Sequence, residues 1–177
     1  MEEIMHLSVG IEPKDARGYL NIYSCPRSIC PHVNWGLSEI FKTKIELDWH
    51  PQTLINNSFC AEINWIGPIG LSSRITSNLA KWGQLRLDCL QEPSKFQLGE
   101  RFSLTPKLGI FRTEMNYLGE SVVTENKLKS AFERSQIEKE DFSVELAFLL
   151  GTPWDEDLEP FRITKHDSSV KWISKTG

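Results

Sequence analysis

Two hydrophobic periods alternate along the chain. "GYLNIYS" (Gly18 to Ser24) sets Leu20 and Ile22 on one side and Tyr19, Asn21 and Tyr23 on the other, the two-residue period of a half-buried strand. From Pro31 the period lengthens: Val33, Leu37, Ile40 and Phe41 fall at i, i+4, i+7 and i+8, one stripe of a helix. "KIELDWH" (Lys44 to His50) alternates again, with Ile45, Leu47 and Trp49 inward. "FCAEINWI" (Phe59 to Ile66) does the same with Phe59, Ala61, Ile63 and Trp65. After "GPIG", a second helical stripe runs through Leu71, Ile75, Leu79 and Trp82, with Gly83 where a left-handed cap belongs. "QLRLDCL" (Gln84 to Leu90) is a further strand.

The predicted order is β-α-β-β-α-β, the split βαβ or ferredoxin-like arrangement. Right-handed crossovers then put both helices on one face of an antiparallel sheet with spatial order 4-1-3-2. Residues 1–17 show no period and are expected to form an N-terminal arm; 18–177 are expected to be one α+β domain. Its first half is 18–91, and 92–177 form a β-plus-helical extension packed on it. Within that extension, short strands with turns at "TPKLG" and "NYLGE" are expected over Phe102 to Val123. Thr124 and Asp141 are placed to cap helices, Gly151 to end the second, and Thr152-Pro153 to start a third. "VKWIS" (Val170 to Ser174) has the alternation of a last short strand.

Composition narrows the function classes. The net charge of −4 gives no electrostatic reason to seek nucleic acid or an anionic membrane. No apolar run approaches the roughly 20 residues of a spanning helix, and "MEEIMHLSVG" lacks the order of a signal peptide. The expectation is a cytoplasmic protein whose four cysteines are reduced thiols. Neither a cofactor nor a metal is expected, and the partner is a protein or a small molecule, a homodimer included.

Chemistry is concentrated in "SCPRSICPH" (Ser24 to His32). The topology sends Cys25, Cys30, His32, His50 and Cys60 toward one end of the sheet. Their spacings match no common zinc knuckle, and Cys60 falls on the face away from the helices. Cys30 is expected as N-cap with Pro31 at the first helical position. A thiol at a helix N-terminus can have a lowered pKa, which makes Cys30 the candidate nucleophile, with His32 or His50 as base. A capped helix start explains the same residues with no chemistry. The second candidate is "GPIGLSSR" (Gly67 to Arg74), where a strand hands over to a helix whose amides near Ser72, Ser73 and Arg74 could bind an anion. It lacks Walker spacing, and a tight strand-to-helix turn is the better explanation. The run Asp155, Glu156, Asp157 and Glu159 reads as a first-turn acid cluster facing a helix dipole.

The segments "ICPHVNWGLSEIF", "INWIGPIG", "RITSNLAKWGQLRLDCLQEPS", "GERFSLTPKLGIF" and "GTPWDEDLEPFR" resemble the actinobacterial family called domain of unknown function three-one-four-five, from about Gly18 to Ile173. The resemblance implies a high-GC Gram-positive source. It implies no activity, so no functional residues carry over. Because no complete catalytic set can be assembled, a non-catalytic cytoplasmic binding or regulatory module is expected. The alternative is a small enzyme using Cys30 and His32, or the turn Ser72–Arg74. An RNA-reading sheet is disfavoured by the acids on the polar face: Glu46, Asp48, Glu62 and Asp88 against Arg86.

Overall fold

The computed structural model describes residues 15–173 except 96, with side chains as far as residue 164. Of the arm predicted at 1–17, residues 1–14 lie outside the described residues, and 15–17 belong to the first strand. Among the described residues the fold is α+β, with five helices and one seven-stranded antiparallel sheet. In chain order these are β1 (Asp15–Pro26), α1 (Cys30–Phe41), β2 (His50–Pro51), β3 (Ser58–Pro68), α2 (Leu71–Ala80) and β4 (Arg86–Gln91). Then come β5 (Gly99–Thr105), β6 (Gly109–Met115), β7 (Ser121–Val122), α3 (Glu125–Glu138), α4 (Phe142–Leu150) and α5 (Thr152–Ile173).

The sheet order is β2-β3-β1-β4-β5-β6-β7, every neighbouring pair antiparallel. Its first four strands lie in the order β2-β3-β1-β4. The four-stranded sheet does not stand alone, however. The edge of β4 pairs with β5, and the meander runs on through β6 to β7.

Most of the apolar core lies between this sheet and the pair α1 and α2. Leu20, Ile22, Ala61, Trp65, Leu87 and Cys89 face Val33, Leu37, Leu71, Ile75 and Leu79. These are the positions the two periods assign inward. Full burial of each large aliphatic side chain contributes on the order of 1.5–3 kcal/mol. The opposite face of the sheet carries a smaller cluster in which Tyr23 packs with Leu158 and Phe161 of α5. The C-terminal half therefore extends the sheet with three strands and lays α5 across its second face.

Three local expectations are corrected. The strand expected over Lys44–His50 pairs only at His50–Pro51. Its alternation is real, but its partner is a helix. Ile45 N–H donates to Ser38 Oγ at 2.9 Å, and Leu47 N–H and the Trp49 indole donate to Asn34 Oδ1 at 3.3 and 3.2 Å. Side chains of α1 thus take the donors that a sheet neighbour would have used. The strand expected at 170–174 is helical as far as Ile173, because α5 continues and satisfies its own amides without a partner strand. Third, Ile29 rather than Cys30 is the N-cap of α1, and no side chain caps it. Cys30 becomes the first helical residue. The caps expected at Thr124 and Asp141 are present, accepting from Lys127 and Ser143 amides at 3.4 and 2.9 Å, and α4 ends at Gly151.

Candidate functional site

The five cysteine and histidine positions expected at one end of the sheet separate into three places. Cys25 and Cys30 are both buried, their sulfurs 3.6 Å apart. A β-bulge brings this about. The register of β1 shifts between Ile22 and Cys25, so that Cys25 sits opposite Phe59, on the helix-facing side, where strict alternation would have put Ser24. Ser24 instead shares a 2.9 Å hydroxyl contact with Ser58. His32 is exposed on α1 and stacks on Trp82, ring centroids 4.7 Å apart. Residues two apart on a helix do not face each other, and here the imidazole and the Cys30 thiol lie in different surroundings. His50 is the cross-strand partner of Cys60 on the other side of the sheet, 3.2 Å from Asp48 Oδ2. Among the described residues, no three of these five bring ligand atoms within 4.8 Å of one another.

The helix N-terminus does not lower the Cys30 thiol. Burial raises it, while contacts with Cys25 and the backbone pull it down by less. Burial, with the Cys30 sulfur beside it, raises Cys25 further.

The anion turn already has an anion. Ser72 is fully buried and its hydroxyl donates to Glu100 Oε2 at 3.2 Å. Arg112 donates to the other oxygen of Glu100, through Nε at 3.1 Å and through Nη2. The Gly70 amide is taken by Gln91 Oε1 at 2.8 Å. A carboxylate at the first turn of α2 is where the helix dipole favours negative charge. Ser73 is half-buried and Arg74 exposed.

A set of charges between the sheet and α5 was not anticipated as a unit. Asp88, on β4, accepts from Tyr23 Oη at 2.9 Å, Ser103 Oγ at 2.6 Å, and Arg162 Nε and Nη2 at 3.1 and 2.7 Å. Arg162 Nη1 reaches Asp155 Oδ1 at 2.9 Å, and Arg101 donates to the other oxygen of Asp155 at 3.2 Å. Arg86 lies over the Phe161 ring and 3.5 Å from Asp157 Oδ2, an ion pair too long for a good hydrogen bond. Asp155, Asp157 and Glu159 thus point at arginines of the sheet or of their own helix, which explains Asp155 and Asp157 better than the helix dipole does. Burial is the largest single influence on Arg162 and works against its charge, but the Asp88 charge and the hydrogen bonds to Asp88 and Asp155 together outweigh it and hold the guanidinium above its ordinary range. Tyr23 is raised by burial first and by the Asp88 charge second. The signal in the sequence was the spacing of Asp155, Glu159 and Arg162, one helix face, together with an aspartate inside an otherwise apolar strand. These charges partner one another and hold α5 in place.

Two surfaces remain. A shallow depression with room for about one water opens beside α5, among Tyr23, Gln52, Cys60, Phe161 and Thr164. It is far smaller than an ordinary ligand pocket. Helices α3 and α4 pair with each other and join the rest through α5. α4 reads "FSVELAFLL", yet none of its side chains is fully buried. Phe132, Val144, Phe148 and Leu150 are each between 41% and 52% exposed. Glu138, Glu140 and Glu145 approach one another at the same hairpin, but Glu145 is paired with Arg134 at 2.9 Å.

A family model described as "Protein of unknown function (DUF3145)" matches residues 19–175. No curated protein and no solved structure matches the chain.

Proposed function

Since the chain belongs to this family of unknown function, which brings no assigned chemistry with it, we propose that it is a non-catalytic binding module whose binding surface is the α3–α4 hairpin and whose partner is a protein. One observation carries the reading: α4 is almost wholly apolar and, although α3 and α5 pack against it, Val144, Phe148 and Leu150 each stay more than 40% exposed. Contiguous exposed apolar surface mostly marks an interaction site. The flanking charges of α3, including the Lys129–Glu125 and Arg134–Glu145 pairs, would give such an interface its polar rim. A second copy of the chain is one partner of this kind.

The same reading treats residues 15–91 as a ferredoxin-like βαββαβ unit. Its support is the chain order β1-α1-β2-β3-α2-β4 with neighbours β2-β3-β1-β4. A cytoplasmic setting in an actinobacterium belongs to it as well. Its support is that the four cysteines are thiols rather than disulfides, together with the sequence resemblance, and no described helix is long and apolar enough to cross a membrane.

The enzyme reading has less support. Burial raises the Cys30 thiol, His32 is stacked on Trp82, and Ser72 donates to a carboxylate of the protein itself. The test is Val144→Glu with Phe148→Glu. Sedimentation velocity and affinity capture are run beside a denaturation curve. The reading expects an unchanged fold, and loss of a dimer or of a captured protein that the unaltered chain holds. A monomer that captures the same proteins with and without the two glutamates would defeat it.

A further inference from the structure

We propose that Cys25 and Cys30 form a redox-active dithiol, oxidised to an intramolecular disulfide by exchange with a low-molecular-weight disulfide. The site is separate from the α3–α4 surface and stands or falls independently of it.

The geometry is built before any bond forms. The sulfurs are 3.6 Å apart, and a disulfide needs about 2.05 Å, a difference that small side-chain rotations can close. The four intervening residues are held from both sides. Arg27 N–H donates to Asn57 C=O at 3.1 Å, and Ile29 N–H donates to Pro26 C=O at 2.8 Å. Each thiol also lies 3.5 Å from the Pro26 carbonyl. The bulge in β1 is what turns Cys25 toward Cys30 and away from the far face of the sheet. With regular pairing, the serine before it would occupy that side and no pair would exist.

Burial assigns the order of events. Cys25 is fully buried, whereas Cys30 retains 8% exposure at the start of α1, beside exposed Arg27 and Ser28. Cys30 is therefore the entry thiol. It loses its proton to solvent, its thiolate attacks one sulfur of the small disulfide RSSR, and RS⁻ leaves and is protonated. The product is Cys30–S–S–R. Cys25 then loses its proton, and its thiolate attacks the Cys30 sulfur and expels the second RS⁻, which is protonated in turn. Two thiols of the protein are oxidised and one RSSR is reduced to two RSH, so atoms and electrons balance. Burial raises both thiols, so little thiolate is present at neutral pH and the exchange is slow there. It should accelerate about tenfold per pH unit through the neutral range, as the thiolate fraction does.

The test incubates the folded full-length chain with glutathione disulfide, blocks remaining thiols, and maps the peptides without reduction. Trypsin cuts after Arg27, between the two cysteines, so the disulfide appears as peptide 18–27 joined to peptide 28–42. That linked pair, formed about tenfold faster at pH 8 than at pH 7, is the expected result. In Cys25→Ser the reaction should stop at glutathione on Cys30. If that variant fails to fold, the linked pair in the unaltered chain decides alone. Two outcomes overturn the proposal. In one, Cys25 and Cys30 both stay reduced while the more exposed Cys60 is modified. In the other, glutathione persists on Cys30 of the unaltered chain and no linked pair forms.

Discussion

Arg162 on α5 donates to Oδ2 of Asp88 through both Nε and Nη2, joining the last helix to the middle of the sheet across 74 residues of sequence. Asp88 is 4% exposed, and its other oxygen accepts from Ser103. A buried carboxylate with this many donors is well satisfied. Remove the guanidinium and it becomes a buried charge short of its partner. Breaking such a pair from one side is expensive, whereas replacing both members by apolar groups is close to neutral.

Arg162→Ala should therefore cost about 3 kcal/mol of unfolding free energy. Asp88→Leu with Arg162→Met should cost much less than the sum of the two single changes. A double-mutant cycle in urea measures the coupling. Additive costs would show that Tyr23, Leu158 and Phe161 hold α5 down without the ion pair.

Alkaline pH should destabilise the fold through its buried thiols. Burial pushes the Cys89 thiol up to about 12 from an ordinary value of 9.0. Cys30 moves in the same direction for the same reason. A group raised in the folded state holds its proton more tightly there than in the unfolded chain. Below pH 9 both states are protonated and the stability is fully present. Between 9 and about 12 only the unfolded chain releases the Cys89 proton, so stability falls as pH rises, by on the order of 1.4 kcal/mol per pH unit, and Cys30 acts in the same direction. Urea midpoints from pH 8 to pH 11 should decline, and Cys89→Ala should flatten the decline even if it lowers the starting value. A slope unaffected by Cys89→Ala would assign the loss to other groups.

Strands β1, β3 and β4 and the two helices facing them were readable because each offers a single apolar stripe at its own period. Leu20 and Ile22, or Leu71, Ile75 and Leu79, admit one inward face. The bulge after Ile22 was not readable. Ser24 and Cys25 are both small and both tolerate burial, so period alone cannot say which one turns inward, and the Cys25–Cys30 contact depends on that choice. Asn34 and Ser38 hid the fate of Lys44–His50 in the same way. A polar residue on a helix does not announce that its side chain will bond the next segment's backbone. The ion pairs beneath α5 needed the register of β4 against β5, which puts Asp88 opposite Ser103. At Ser72–Arg74 the sequence offered the turn but not Glu100, which reaches it only through the pairing of β5 with β4.

Gly151 ends α4 with φ of +81°, and a Cβ there would lie 2.4 Å from Cε1 of Phe111. Phe111 in turn packs on Trp154 at 5.1 Å between ring centroids. Gly119 has nearly the same φ, +80°, and open space around it. The two glycines separate backbone strain from crowding. Gly119→Ala should cost about 1 kcal/mol, the left-handed penalty alone. Gly151→Ala should cost about 2–3 kcal/mol, since it must also displace a buried ring. Thermal and urea unfolding compare them directly, and equal costs would mean that Phe111 moves aside freely.

Single-stranded RNA should not bind at physiological salt. Sheets that read RNA stack bases on exposed aromatic rings and surround them with positive charge. Here Tyr23 is 6% exposed beneath α5, and its hydroxyl is engaged with Asp88. Tyr19 is half-buried on the same face, and burial raises its hydroxyl above the ordinary value. The three arginines beside α5 are paired: Arg162 with Asp88 and Asp155, Arg101 with Asp155, Arg86 with Asp157. A phosphate would have to displace a carboxylate from each. The net charge of −4 adds repulsion at longer range. Fluorescence anisotropy with a labelled oligonucleotide should stay flat into the tens of micromolar protein. Micromolar binding that is lost in Tyr19→Ala would mean that α5 leaves the sheet, and would overturn the assignment of Asp88 and Arg162 as a fixed link.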